Sequence, residues 1–356
     1  MVISISMFLI VPIIIQSFLF ALVLSTYKGV KKISNRLLGA FLAALGVQMT
    51  IYFLLDLELI SANWLAGTGV VFAYGPLLYL YARSLIHKPF QLKSTDWLHF
   101  LPTILFIVLM LFGFDIRNKF GWLLYVSLGF YMLFAFQAIN RYQKVIENTQ
   151  SAPEKLTLNW LKSSFGFFTI IISADLISFL LNYTINWTIV NQTMNNLVFV
   201  MLLIFVNFLI YKGLKQPGIF QGISDEEFNL IRSTKQLNKQ LIHKKHQGEI
   251  TQLILHMKKE QPFLNPSLTI AELATQLAIP MRSVSEIVNG YFQQNFSEFI
   301  NSYRIEAAKK YLENPTDPKE TILEVLYKVG FQSKSAFNTA FKNLTGETPT
   351  AYKKKF

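Results

Sequence analysis

The chain is expected to be all-α: an N-terminal bundle of about seven transmembrane helices, then an all-helical domain with two helix-turn-helix units. Three observations carry this expectation. Apolar runs of roughly bilayer-crossing length recur through the first 214 residues. A capped two-helix pattern occurs twice in roughly the last ninety residues. An amphipathic stretch with helical spacing joins the two copies.

A helix needs about 20 apolar residues to cross the bilayer core at ~1.5 Å per residue. Runs near that length occupy 2–27, 37–55, 64–86, 98–114, 120–139, 165–183 and 197–214. The first carries no charge before Lys28 and lacks a basic leader, so it is read as a retained span rather than a signal peptide. Lys and Arg favour cytoplasmic loops. Alternate loops, starting with the one after the first run, hold eleven basic residues, among them Lys28, Arg83, Arg141 and Lys162; the others hold two, Arg117 and Lys119. The expected orientation is N-terminus outside and C-terminus inside, in a bacterial inner membrane.

Of 356 residues, 52% are hydrophobic and only 15% charged, against about 25% charged in a soluble domain. The charge is unevenly spread. Residues 1–211 hold 13 basic and 7 acidic side chains, and the shorter 212–356 holds 20 and 14. A lipid-compatible half thus gives way to a water-compatible one near Tyr211. The net +12 points to an anionic partner, phospholipid or nucleic acid. With no cysteine, disulfides, thiolate metal sites and cysteine nucleophiles are excluded. No catalytic, cofactor or metal constellation is found, and a catalytic role is not expected.

Asp175 lies within "FTIIISADLISFLL", where an ionised carboxylate costs at least ~2.5 kcal/mol. It is a candidate sensing residue for an unknown small-molecule or membrane signal, or else a structural acid paired to Gln16, Gln48 or Gln137. Gly75-Pro76 is expected to kink the third span.

The expected domains are a transmembrane sensor at 1–214, a cytoplasmic linker helix at 215–248 and a helix-turn-helix domain at 249–356. In the linker, Ser224 and Glu227 form a capping-box pattern, and Ile223, Leu230, Leu237 and Leu241 offer a short apolar seam through which a homodimer can form. The run "HKKH" at 243–246 reads as a solvated helix face rather than a metal site.

Thr269 and Glu272 are echoed by Thr321 and Glu324, both T-x-x-E capping boxes. Each is followed by helically spaced apolar residues, a turn residue (Ala278, Gly330) and an apolar plug (Ile279, Phe331). Second helices follow, with Val284, Ile287 and Val288 inward in one copy and Phe337, Ala340 and Phe341 in the other. The offset is 52 residues before the turn and 53 after it, so the second turn holds one extra residue. Between the copies, 296–313 reads as a rod of ~27 Å, close to the ~34 Å advance of one DNA turn.

Residues 261–356, and above all "VGFQSKSAFNTAFKNLTGETPTAYKK", resemble the AraC/XylS-type DNA-binding domain. The motifs "GPLLYLY", "LHFLP" and "GLKQPGIF" resemble the multi-span sensor portion of membrane-anchored bacterial regulators of this type. The resemblance implies a transcription regulator whose two helix-turn-helix units bind double-stranded promoter DNA, often as a dimer. The chain departs from that pattern at Ala278, at Pro280, where a Ser or Thr cap is usual, and at Leu326, where a small residue is usual.

On the free face of the first recognition helix the expected DNA contacts are Arg282, Ser285, Glu286 and Asn289. On the second they are Lys334, Ser335, Asn338 and Thr339, with Lys342 on phosphate. Arg and Lys suit guanine, Asn suits adenine and Glu accepts from cytosine N4. Lys353 and Lys354 are assigned to phosphates, and Arg304 to a structural role. The alternative is a transporter-like or receptor-like membrane protein whose helical tail binds another protein.

Overall fold

The computed structural model describes residues 5–26, 32–60, 69–112, 121–184, 188–215, 224–233, 239–315 and 320–356. Among them there is no strand, and an isolated bridge joins Gln150 and Thr269. The chain divides into two compact units: Met1–Asn140 with Leu158–Gly222, and Arg141–Thr157 with Ile223–Phe356. The segment between the fifth and sixth apolar runs therefore belongs with the C-terminal unit, which the sequence did not suggest.

The first unit contains α1 (Ile5–Thr26), α2 (Lys32–Asp56), α3 (Tyr74–Ile86), α4 (Leu101–Leu111), most of α5 (Trp122–Thr149), α6 (Asn159–Thr184) and α7 (Thr188–Lys215). Six helices in the described residues are long and apolar enough to cross a membrane: Ile5–Thr26, Lys32–Asp56, Gly69–Ile86, Trp122–Thr149, Asn159–Leu181 and Gln192–Lys212. The fourth expected run is shorter, Ser94–Leu109, and opens as a 3-10 turn through the polar "STDWLHF" before α4 begins. Pro76 lies in the first turn of α3, where its missing N–H breaks no helical bond. The break expected at Gly75-Pro76 falls where a 3-10 turn over residues 69–73 gives way to α3. Gly75 is required by packing, since a Cβ would sit 2.6 Å from the Tyr131 ring.

At the centre of this unit is Phe41, fully buried and edge-on to Tyr74, Phe168 and Phe205 at centroid distances of 5.3, 5.9 and 6.3 Å. The outward faces carry large apolar side chains in quantity, including Phe8, Leu22, Leu105, Phe130 and Leu133.

In the second unit, α8 (Asp225–Ser233) and α9 (Lys239–Lys245) lead into α10 (Gln247–Lys259), α11 (Ile270–Leu277), α12 (Met281–Glu286), α13 (Phe296–Glu313), α14 (Ile322–Lys328), α15 (Lys334–Thr345) and α16 (Pro349–Lys353). The caps form as their spacing requires. Thr269 accepts from the Glu272 amide at 3.1 Å and Thr321 from Glu324 at 3.2 Å, while each glutamate accepts the threonine amide in return. Ser224 and Glu227 pair in the same way at the start of α8.

Two hydrophobic cores result. Leu273, Leu277, Val284, Ile287 and Val288 build the first, and Val325, Val329, Phe331, Phe337 and Phe341 the second. The connecting helix α13 supplies Phe296, Phe299 and Ile300 to one and Ile305, Ala308 and Leu312 to the other. Because one rigid element is packed at both ends, the two helix pairs are held in a fixed relation. Leu230 also enters the first core. It is therefore occupied within the chain and unavailable to the linker seam proposed from its spacing. Ile223 and Leu237 lie outside the described residues, as does the side chain of Leu241.

Candidate nucleic-acid interface

The second recognition helix, α15, presents its polar residues outward. Ser333 caps it, accepting from the Ala336 amide at 3.1 Å, and Phe337 and Phe341 anchor its inner face. Opposite them Lys334, Ser335, Thr339 and Lys342 are exposed and Asn338 is half-buried. The extra residue in this turn is Gln332, whose amide donates to the Pro266 carbonyl at 2.6 Å and fastens the turn to the first copy.

The first recognition helix differs from expectation. It begins at α12 after Pro280, which provides no side-chain cap, and continues as a π-helical turn from Ile287 to Tyr291. Arg282 is exposed and Asn289 half-buried, with the Asn289 amide donating to the Ser285 carbonyl at 3.0 Å. Ser285 and Glu286 are only 2% and 3% exposed. Their placement on a free face is thereby corrected. Glu286 is covered by the junction of α9 and α10, where it accepts from Lys245 at 2.6 Å, Arg282 at 2.9 Å and His246 at 3.1 Å. His243 stacks on Tyr291 beside it, at a centroid distance of 5.4 Å. The "HKKH" run is thus a strap over the first recognition helix rather than a wholly solvated face.

Burial pushes the Glu286 carboxyl up, but the hydrogen bonds from Lys245, Arg282 and His246 outweigh it and hold the group at about 2. A carboxyl depressed on folding stabilises the fold above its ordinary value near 4.5 and loses that contribution as pH falls toward 2. Lys245 and Arg282 face water, so screening limits the effect to about 1–2 kcal/mol. Glu286→Gln is expected to destabilise this unit by that amount at neutral pH. The gap to wild type should close between pH 4.5 and 2 in chemical denaturation read by hydrogen exchange. A gap independent of pH would mean that packing, not charge, is lost.

Arg304 is 1% exposed and organises the region beneath the second turn. Its Nε donates to the Phe263 carbonyl at 2.8 Å, Nη2 to the Asn265 carbonyl at 2.8 Å and to Ser151 Oγ at 3.2 Å, and Nη1 to the Ser151 carbonyl at 3.2 Å. The guanidinium lies 5.5 Å from the Phe331 ring centroid. Burial lowers its pKa to about 10, so it stays charged at neutral pH. The Ser151 amide in turn donates to the Leu268 carbonyl at 3.0 Å. A segment from between the fifth and sixth apolar runs is thereby stitched into the helix-turn-helix unit. Sequence reasoning missed this joint; the available signal was a charged residue in the connecting helix, which needs buried acceptors.

Residues 273–355 match the model of a family described as a helix-turn-helix domain. The chain is also 30% identical over 89 residues to the Msm operon regulatory protein of Streptococcus mutans, an alignment covering 25% of this chain and 31% of that protein. The chain thus spans under a third of the curated relative it matches, and no solved structure matches it. The C-terminal domain is an AraC-type helix-turn-helix domain. Within this AraC-type domain both recognition helices are present, one with its polar face open and the other strapped. Lys353, expected on phosphate, donates to the Glu320 carbonyl and is partly withdrawn from solvent.

In the first unit, Asp175 accepts from the Tyr125 hydroxyl at 2.8 Å. Tyr125 is on α5, a partner that the sequence did not suggest. Gln16 instead accepts from Asn207 at 3.0 Å. Gln48 borders the same cavity as Asp175. Among the described residues no group of three His, Cys, Asp or Glu is arranged to hold a metal.

Proposed function

We propose that the chain is a membrane-embedded one-component transcription regulator, anchored in a bacterial inner membrane with its AraC-type domain in the cytoplasm. The domain binds promoter DNA sequence-specifically, and the apolar bundle receives the signal. The observation that carries this reading is the Ser151–Arg304 joint. It makes a segment flanked by two apolar helices part of the AraC-type domain, so bundle and domain are connected at that segment as well as through the linker. The exposed apolar faces of the bundle support lipid as its solvent, since soluble monomers rarely expose such large contiguous patches. The loop-charge asymmetry supports the orientation.

Lys334, Ser335, Asn338 and Thr339 read base edges, and Lys342 holds phosphate. At the first copy Arg282 and Asn289 are accessible as they stand, and Ser285 and Glu286 become so only if the α9 strap lifts. The domain balance of 11 basic and 9 acidic residues over 266–356 gives weak non-specific affinity, which leaves selectivity to base contacts.

The test uses the intact chain in nanodiscs, with a duplex site recovered from genomic fragments the chain retains and a scrambled control. Lys334→Ala and Asn338→Ala are each expected to reduce the specificity ratio roughly five- to 150-fold, as loss of a base contact worth ~1–3 kcal/mol requires. Lys342→Ala should weaken both duplexes alike and lower the salt slope by about one unit. Equal losses on both duplexes for Lys334→Ala and Asn338→Ala would remove sequence reading from α15.

A further inference from the structure

A partly open cavity of about 180 Å³ lies between α2, α3, α5, α6 and α7. A smaller chamber of about 90 Å³ adjoins it, sharing Gln48, Tyr52, Tyr125 and Asp175 and adding Phe72, Phe106 and Phe179. Both lie toward the end of the bundle that carries Asp56, Trp122 and Thr184. Asp175 is nine residues, or ~14 Å, from Thr184 along α6, and Tyr125 is three from the start of α5.

Two polar atoms in this wall are buried without a hydrogen-bond partner: Gln48 Oε1, on a residue 3% exposed, and the Tyr74 hydroxyl, on a residue 6% exposed. A buried acceptor left unsatisfied costs about 1–3 kcal/mol, and such groups in folded proteins ordinarily have a partner. Beside them stands the Asp175 carboxylate, a group with several acceptor sites that accepts from the Tyr125 hydroxyl. The cavity lining thus carries one acid and no Lys, Arg or His. Apart from Asn195, whose oxygen accepts from Ser178 at 3.0 Å, the rest is apolar or aromatic, with Phe168, Phe199, Leu45 and Leu202 among the walls.

We propose that this cavity binds a small primary amine with an aromatic or compact aliphatic body. The proposal rests on the sensor reading above and names its ligand class. An ammonium is a three-donor cation. It satisfies the carboxylate, the orphaned Gln48 oxygen and the Tyr74 oxygen at once, while the aromatic walls favour it through their negative faces. An anion is opposed by Asp175, and a neutral body leaves that carboxylate without a counter-charge from the ligand. The volume suits a ring, since an apolar cavity of about 150 Å³ takes benzene, and the adjoining chamber accommodates a short substituent. The ammonium shares the Asp175 carboxylate with Tyr125. Tyr125 is on α5, the helix that ends at Thr149, two residues before the serine that holds Arg304.

The test is equilibrium dialysis of the intact chain in nanodiscs against benzylamine, phenethylamine and n-hexylamine, with 2-phenylethanol and 3-phenylpropionate as isosteric controls. At least one amine is expected to bind saturably below about 1 mM, and both controls at least tenfold more weakly. Asp175→Asn and Gln48→Leu should each weaken amine binding about tenfold or more, as loss of a charge-assisted hydrogen bond requires. Gln48→Leu should also raise thermal stability, because it deletes a buried unsatisfied acceptor. No saturable amine binding, equal binding of 2-phenylethanol, or unchanged affinity in both variants overturns the proposal. Duplex binding is measured on the same samples. DNA binding without amine binding sinks this inference alone; amine binding without DNA binding sinks the regulator reading and leaves the site standing.

Discussion

Arg304→Ala is expected to unfold the AraC-type domain at or near physiological temperature while leaving the apolar bundle helical. The substitution removes these donor bonds at once, strands the carbonyls of Phe263 and Ser151 in a buried site, and leaves that of Asn265 with only the Leu268 amide at 3.3 Å. Each stranded acceptor costs about 1–3 kcal/mol, so the two together cost about 2–6 kcal/mol, a large part of a domain stability of roughly 5–15 kcal/mol. Arg304→Lys keeps the charge, but one ammonium cannot reach carbonyls on two separate segments, so an intermediate loss is expected. Hydrogen exchange on the intact chain in nanodiscs is the direct measurement. Amides of α13 and α14 should lose protection in Arg304→Ala, and those of α2 and α6 should not. Unchanged protection in α13 would show that the guanidinium network adds nothing to the domain.

The second large effect is at the turn of the second copy, and it has a counterpart of opposite sign in the first. Gly330 has φ +90°, and a Cβ there would lie 2.7 Å from the Phe263 carbonyl oxygen and 2.8 Å from that of Leu264. Gly330→Ala therefore meets both backbone strain of about 1–3 kcal/mol and a collision with two backbone oxygens, one of which, on Phe263, also accepts from Arg304. A loss of about 3 kcal/mol or more is expected. Ala278 holds the equivalent turn at φ +55° and already bears the left-handed penalty. Ala278→Gly should relieve it and stabilise by about 1 kcal/mol. At about 4–8 °C per kcal/mol for a domain of this size, the unfolding midpoint should fall by 10 °C or more in the first variant and rise modestly in the second. Pulse proteolysis over a temperature series reads both. Equal and small shifts would mean that the two turns bear the same local strain and that the carbonyl contacts are relaxed.

The two-core helix-turn-helix unit was legible in the sequence because its determinants are local. A threonine three residues before a glutamate satisfies its own helix end, and apolar residues at helical spacing define an inward face wherever the helix is placed. Thr269, Thr321, Val284, Phe337 and the rod 296–313 all behave as that logic requires. The apolar helices were legible for the same reason, except where length was marginal: 98–114 included residues that the polar stretch before α4 keeps in a 3-10 turn. Gly75-Pro76 was recognised as a break, but whether a proline sits inside a helix or at its start depends on where the helix begins, which packing of Gly75 against Tyr131 helps to decide.

What the sequence by itself determined was which segments are helical, where they are capped, and which faces avoid water. Only the tertiary structure decided which polar faces stay open and which buried polar groups find one another. Ser285 and Glu286 have the spacing of a free face, yet both are buried, and Lys245 and His246, the latter 40 residues away in sequence, bind Glu286. Arg304 needed acceptors, but nothing local could show that one would come from Ser151, 153 residues earlier. Asp175 needed a donor, and Tyr125 is 50 residues away on another helix. The physical reason is common to all three. Helix formation is settled within a few residues by backbone bonds and side-chain caps, whereas solvation and pairing of a polar group depend on whichever distant element folds against it.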